Sequence, residues 1–176
     1  SIFEKELQDF QKVLDPKIKG TLVLDEILRE EPLDFICYFS SSSAILGDFG
    51  SCDYAIGNRF LMAYATHRNG LYKQEKCSGK AIVINWPLWK DGGMGSNEEE
   101  QIQFYLKSSG QRFLETHEGL VLFEQILSQS KVQGACHQYL VLMGVKSRVH
   151  QFLGLTQDAV TSGSFELAPV LKSAKP

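Results

Sequence analysis

The fold of this chain is decided by the stretch FSSSSAILGDFGSCDYAIGN, residues 39–58. The apolar and aromatic run LDFICYF, residues 33–39, leads into it and stops at the serines. An apolar run that ends abruptly at small polar residues is typical of a buried parallel strand that continues into a loop. We therefore predict a buried strand over residues 35–39, with the serines at its carboxyl end.

A helix is predicted to follow the loop. Tyr54 opens it, and its apolar positions have the spacing of a largely buried helix, at Ala55, Phe60, Leu61, Met62, Tyr64 and Ala65. Tyr54 and Asn58 are four residues apart and share a face of this helix. Open parallel sheets bind ligands beyond the carboxyl ends of their strands. Ser41 and Tyr54 are therefore expected to converge on one bound carbonyl group.

The rest of the chain alternates between helical and strand patterns. Two helices are predicted at its start, over about residues 4–14 and 18–30, with Pro16 at the bend between them. Later elements are predicted over residues 81–85 (strand), 96–111 (a polar helix suited to a mobile lid), 116–127 (helix) and 138–143 (strand). This alternation predicts an α/β fold, a parallel sheet with helices on its faces.

Four polar residues in this frame resemble the catalytic set of the ketoreductase domains of modular polyketide synthases, which are relatives of the short-chain dehydrogenases/reductases. Ser41 lies thirteen residues before Tyr54, Asn58 lies four after it, and Lys17 lies twenty-four before Ser41. Stand-alone reductases of the superfamily usually carry Lys where this chain has Asn58. The resemblance covers about residues 10–144, and its INWPLW segment, residues 84–89, looks closest to synthases that use free-standing acyltransferases.

The resemblance implies a Rossmann-like doubly wound parallel sheet and reduction of a β-ketoacyl thioester, held on an acyl carrier protein, by NADPH. Tyr54 would protonate the alkoxide, and the ammonium of Lys17 would ease that proton release. Ser41 would hydrogen-bond the carbonyl oxygen, and Asn58 would position Lys17 or a water. Two alternatives stay open within these patterns, since Ser42 competes with Ser41 and Lys19 competes with Lys17.

Other residues are expected to bind the substrate or the cofactor. By the resemblance, Leu46, Trp89 and Met94 would contact the acyl substrate, and Pro87 would contact the cofactor together with Tyr54 and Lys17. A Trp five residues after the catalytic Ser marks one stereochemical class in the family, and Leu46 at that position disfavours this class. Trp89 and Met94 also suit ordinary core and loop packing.

A glycine-rich phosphate-binding turn is missing from the sequence, because nothing reads Gly-x-Gly-x-x-Gly between a strand and a helix. We therefore expect the nucleotide-binding portion to be incomplete in this chain, with the remaining N-terminal part of the same synthase as its partner. Two interpretations compete with reduction. One is a catalytically silent ketoreductase-like module that serves as a scaffold or docks the carrier. The other is a related isomerase or dehydratase of the same superfamily, which would normally carry Lys where this chain has Asn58. Residues 1–160 are assigned to the catalytic part of the domain and residues 161–176 to a linker or tail.

Composition narrows the remaining classes of function. The formal net charge of −3 gives no reason to expect nucleic acid or a membrane as partner. No apolar run approaches the length of a membrane span and no secretory signal opens the chain, so the expected location is the cytoplasm. The cysteines lack C-x-x-C spacing and the histidines form no ligand pair, so we expect reduced thiols and no bound metal.

Overall fold

A computed structural model describes residues 5–47, 51–91, 99–132, 134 and 136–155. Nine elements lie within these ranges: α1 (Leu7–Ile27), β1 (Phe35–Ser41), α2 (Ser43–Leu46), α3 (Cys52–Lys73), β2 (Lys80–Trp86), α4 (Glu99–Ser109), α5 (Thr116–Ser130), β3 (Gln138–Leu140) and α6 (Lys146–Phe152). Met94 and the linker predicted over residues 161–176 lie outside the described residues.

The strands form a parallel sheet in the order β1-β2-β3. Ser41 pairs with Trp86, and Asn85 pairs with Leu140, so the carboxyl ends of the strands meet at one edge. β2 is central and is buried from Ala81 onward. The predicted α/β class with a parallel sheet is confirmed.

Helices cover both faces of β2. Successive strand residues point to opposite sides of the sheet, so alternate residues of β2 contact different helices. Ala81 and Val83 pack with Ala65 of α3 on one face. Ile84 packs with Ile126 of α5 on the other face, within a larger apolar cluster. The expected arrangement of helices on both faces is therefore confirmed.

The prediction of a buried strand is wrong for β1. β1 lies at the edge of the described sheet, and Phe39 remains 54% exposed although its ring lies 5.6 Å from the rings of both Trp86 and Phe123. The apolar cluster on that face is built around β2 and β3, so it covers only one flank of Phe39. The apolar run correctly indicated a strand, but its position in the sheet sets its burial.

The predicted break at Pro16 is also wrong, because α1 runs uninterrupted through it. A proline inside a helix removes one backbone hydrogen bond and strains the preceding turn. Residues on either side of it compensate by packing on α3: a Cβ at Gly57 would lie 3.6 Å from Leu14 and 3.1 Å from Lys17. Tertiary contact therefore outweighs the local preference for a bend.

Two short helices were not predicted. α2 is a single turn within the expected loop, and α6 follows the last strand. Elements this short do not complete enough periods of an apolar pattern to be recognised. Within the described ranges, no helix has both the length and the apolar character that crossing a membrane requires.

Candidate active site

The candidate site lies at the carboxyl edge of the sheet. β1 ends at Ser41, and the next residue, Ser42, donates its backbone N–H to the carbonyl of Trp86 at 2.8 Å. Pro87 follows β2 directly and is buried. The chain returns from β1 to β2 through α3, so the first turn of α3, which carries Tyr54, begins at this same edge.

Lys17 is brought to Tyr54 by the packing of α1 on α3. The Lys17 ammonium nitrogen lies 5.7 Å from the centre of the Tyr54 ring, within cation–π range. Burial lowers the pKa of Lys17. The competing Lys19 has a 72% exposed side chain and pairs with Asp15 at 2.7 Å. Of the two lysines that the sequence left open, the structure places Lys17 beside the phenol.

Asn58 is fully buried one turn after Tyr54. Its side-chain amide nitrogen donates to the carbonyl of Tyr54 at 2.9 Å, and its side-chain oxygen has no hydrogen-bond partner in the part of the chain that the structure describes. Asn58 therefore contacts Tyr54, whereas its predicted role was to position Lys17 or a water. The bonds of its amide do not extend to Lys17 in this structure.

Ser41 is at the expected edge, but its hydroxyl is engaged locally. It accepts hydrogen bonds from the backbone N–H of Ser43 at 3.2 Å and from the Ser43 hydroxyl at 2.9 Å. Between these described residues, no hydrogen bond joins Ser41 to Tyr54 or Asn58. Leu46 ends α2 just beyond, where Gly47, with φ +83°, terminates the turn. That Ser41 rather than Ser42 binds the carbonyl oxygen stays a prediction.

Two site residues were missed by the sequence reasoning. Ser40 lies on the α3 face of β1, and its hydroxyl donates to the Asn58 carbonyl at 3.2 Å, which ties the strand end to the helix. Strand alternation carried this signal, since Ser40 and Ser41 must point to opposite faces.

Asp53 was the second omission. It is buried, forms an ion pair with Lys5, and accepts the Tyr54 backbone N–H at 2.9 Å. Burial acts to raise the pKa of Asp53, but the hydrogen bonds from Lys5 and from the Tyr54 backbone outweigh it and hold that pKa below its usual value. An acidic residue in a first helical turn is a recognised signal that could have found it.

Trp89 packs against the protein itself. Its ring lies 5.1 Å from the ring of Trp86, and its outer edge covers Gly119 of α5, where an added Cβ would overlap the indole. The packing interpretation of Trp89 therefore has direct support. Its predicted contact with an acyl substrate stays a prediction.

We expect Gly119→Ala to destabilise the protein by about 1–3 kcal/mol, because the new methyl group overpacks a filled contact. Gly70→Ala is the matched control. Gly70 is also helical, and nothing lies within 4 Å of the methyl group it would gain, so this change is expected to stabilise by about 0.5–1 kcal/mol. Denaturant unfolding of both variants checks the pair, and equal effects would contradict the packing of Trp89 on α5.

An open depression of about 650 Å³ lies at the opposite end of the sheet, where α1 and α3 end. It is lined by Arg29, Glu31 and Lys73 among others, and by none of the four catalytic candidates. Its position at the amino ends of the strands is unsuited to a ligand of an open parallel sheet.

Comparison with known proteins agrees with this geometry. The model of the KR domain family matches residues 1–91. Polyketide synthase PksM of Bacillus subtilis is 54% identical over 175 residues, which are 99% of this chain and 4% of that protein. Polyketide synthase ThaG of Burkholderia thailandensis is 40% identical over 159 residues, 90% of this chain and 3% of that protein.

The fold also matches solved structures. The crystal structure of a ketoreductase domain from the bacillaene assembly line has a TM-score of 0.76 and 38% identity, covering 85% of this chain and 34% of that one. The fold is thus the Rossmann-like fold of the short-chain reductase relatives. The chain belongs to the ketoreductase domain family of polyketide synthases. It spans only 3–4% of the length of the curated relatives named above.

Proposed function

We propose that this chain forms the catalytic part of a domain that reduces the β-keto group of an acyl thioester to a hydroxyl group. NADPH is the proposed reductant, and an acyl carrier protein is the proposed bearer of the thioester. The observation that carries the proposal is the juxtaposition of Lys17 and Tyr54, 5.7 Å apart on two different helices at the ligand-binding edge. Membership of the ketoreductase family supports it.

Tyr54 is the proposed proton donor. Reduction of a ketone places negative charge on the carbonyl oxygen, which must be stabilised and protonated. The phenol supplies the proton, and the ammonium of Lys17 stabilises the phenolate that remains. Ser41 hydrogen-bonds the same oxygen in this proposal, once its hydroxyl turns from Ser43 toward the substrate. Asn58 holds the first turn of α3 through the Tyr54 carbonyl.

The side chains present fit a nicotinamide cofactor. The phenol and the ammonium are adjacent donors suited to sugar hydroxyl groups, and buried Pro87 offers apolar surface at the end of β2. The buried side-chain oxygen of Asn58 has no hydrogen-bond partner among the residues that the structure describes, so it can accept a further hydrogen bond at this edge. When bound, the cofactor supplies hydride to the β-carbon. The glycine-rich turn that binds the phosphates of the cofactor is proposed to come from the remaining N-terminal part of the same synthase.

On the substrate side, Leu46, Trp89 and Met94 are the proposed acyl contacts. Leu46 is the best supported by position, since it ends the turn that leads from Ser41 toward α3. Trp89 would contact the acyl chain with the part of its ring that does not cover Gly119.

The deciding experiment measures NADPH consumption by the complete domain that contains this chain, with a β-ketoacyl thioester on a carrier protein and on a small thiol. We expect turnover with both thioesters, a lower KM for the carrier-bound one, and weaker turnover with NADH. Absence of turnover together with absence of cofactor binding on titration would refute reduction and favour the silent docking module.

A further inference from the structure

A second polar cluster joins α1 to α3 away from the candidate site. Arg68 of α3 donates to Asp25 of α1 at 2.5 Å, and the hydroxyl of Tyr64 donates to the other Asp25 oxygen at 2.8 Å. Arg68 is 1% exposed and Asp25 is 8% exposed. A second guanidinium nitrogen of Arg68 donates to the carbonyl of Ser78 at 2.7 Å. None of these groups has a part in the proposed chemistry.

This cluster matters because little else buried on α1 specifies how the helix lies on α3. The buried residues of α1 are Thr21 and Asp25, both polar. Thr21 turns its hydroxyl back to the carbonyl of Lys17 on its own helix. Several apolar residues of α1 are exposed instead, namely Leu7, Leu22, Val23, Leu24 and Ile27. Asp25 is therefore the buried α1 side chain that bonds directly to α3.

The position of the Lys17 side chain depends on the same alignment of α1 against α3. Leu14 and Lys17 of α1 pack at Gly57 of α3. Further along both helices, Asp25 of α1 bonds to Tyr64 and Arg68 of α3. Lys17 and Asp25 are eight residues apart on one helical stripe, about 12 Å along the axis. Any sliding or rolling of α1 at Asp25 moves the Lys17 ammonium relative to the Tyr54 ring.

The partners of Asp25 are themselves held in place. The Tyr64 ring stacks on Phe60 at 5.5 Å and meets the Tyr38 ring edge-on at 6.4 Å. Burial and the hydrogen bond to Asp25 raise the pKa of Tyr64, so the phenol stays protonated as a donor. A buried charge pair adds little net stability, and in some proteins such a pair selects one packing arrangement over its alternatives.

We propose that the cluster of Asp25, Arg68 and Tyr64 is a positioning device that sets α1 on α3 and thereby holds Lys17 over Tyr54. The inference rests on the proposed function, in which Lys17 and Tyr54 act together. Asp25 is a positioning residue, since it acts through Lys17 and touches no reacting atom. Its removal therefore affects the chemical step more than substrate binding.

The test is a double-variant cycle in the complete domain, with kcat and KM measured for wild type, Asp25→Asn, Lys17→Met and the double variant. Asp25→Asn is expected to lower kcat about tenfold with KM unchanged, because small misplacements of a catalytic group are costly. In the Lys17→Met background the same change is expected to cause no further loss. Asp9→Asn, which removes an exposed ion pair with Lys12 on the same helix, is the control and keeps wild-type kcat.

Two results would overturn the proposal. One is a folded Asp25→Asn domain with wild-type kcat, and the other is losses that multiply in the double variant, which would mean that Asp25 acts independently of Lys17. If Asp25→Asn does not fold, Tyr64→Phe takes its place, with an expected loss of about threefold that disappears in the Lys17→Met background. An inactive wild-type domain would instead refute the proposed function itself.

Discussion

A Tyr54→Phe domain is expected to reduce a β-ketoacyl thioester about 10²- to 10⁴-fold more slowly than wild type, the usual contribution of a positioned general acid. The substitution removes only the hydroxyl group. The ring and its contact with the Lys17 ammonium, 5.7 Å from the ring centre, are retained. Folding is therefore expected to survive. Cofactor binding is expected to weaken only by the loss of the phenol's one hydrogen bond, and the main loss is expected in kcat. Single-turnover NADPH oxidation measures it.

Tyr72→Phe is the matched control for this prediction. Tyr72 lies on the same helix, α3, but near its far end, where it is exposed and lines the open depression. We expect the control to keep wild-type activity. A Tyr54→Phe domain with undiminished kcat and intact cofactor binding would show that another group donates the proton.

Lys17→Met is expected to lower kcat about 10²-fold, since it removes the cation that lies beside the phenol while keeping most of the side chain's packing on Gly57. Lys12→Met, an exposed change on the same helix, is expected to leave kcat unchanged. Equal activity of the two variants would mean that the ammonium of Lys17 has no part in proton transfer.

Lys17→Met is expected to lower kcat but to raise the free energy of unfolding. Burial lowers the pKa of Lys17 below its usual value of 10.5, so the unfolded chain binds more protons than the folded one between the two pKa values. Wild-type stability therefore rises with pH through that window, and below it the buried charge carries a constant cost. At pH 7 Lys17→Met is expected to be more stable by less than about 1 kcal/mol, because partial exposure screens the charge.

Urea unfolding at neutral pH and again near the usual lysine pKa checks this expectation. The advantage of Lys17→Met is expected to shrink as the pH rises, because wild type then loses the cost of the buried charge. An advantage that stays constant with pH would come from apolar packing alone. A less stable Lys17→Met domain at pH 7 would contradict the direction of the pKa change.

The local sequence pattern was enough to predict the longer helices and strands, because their apolar residues recur over several helical turns or strand positions. The strand that ends at Ser41 and the central strand were predicted to within two residues, and so was the start of the helix that carries Tyr54. That helix continues to Lys73, beyond Ala65, the last apolar position that predicted it. The spacing of Lys17, Ser41, Tyr54 and Asn58 was likewise sufficient to recognise the family, because these positions are counted along the chain. Pro16 misled the same reasoning, since a local preference was overruled by packing on α3.

The sequence by itself determined the order of helices and strands, the edge at which the polar residues gather, and the family to which the chain belongs. Only the tertiary structure decided that Lys17 rather than Lys19 meets Tyr54, and that Asp25 and Arg68 join the two helices. It also decided that Trp89 packs on Gly119. The physical reason is that periodicity records which face of an element is apolar, whereas the partner of a buried polar side chain depends on how two distant elements lie against each other.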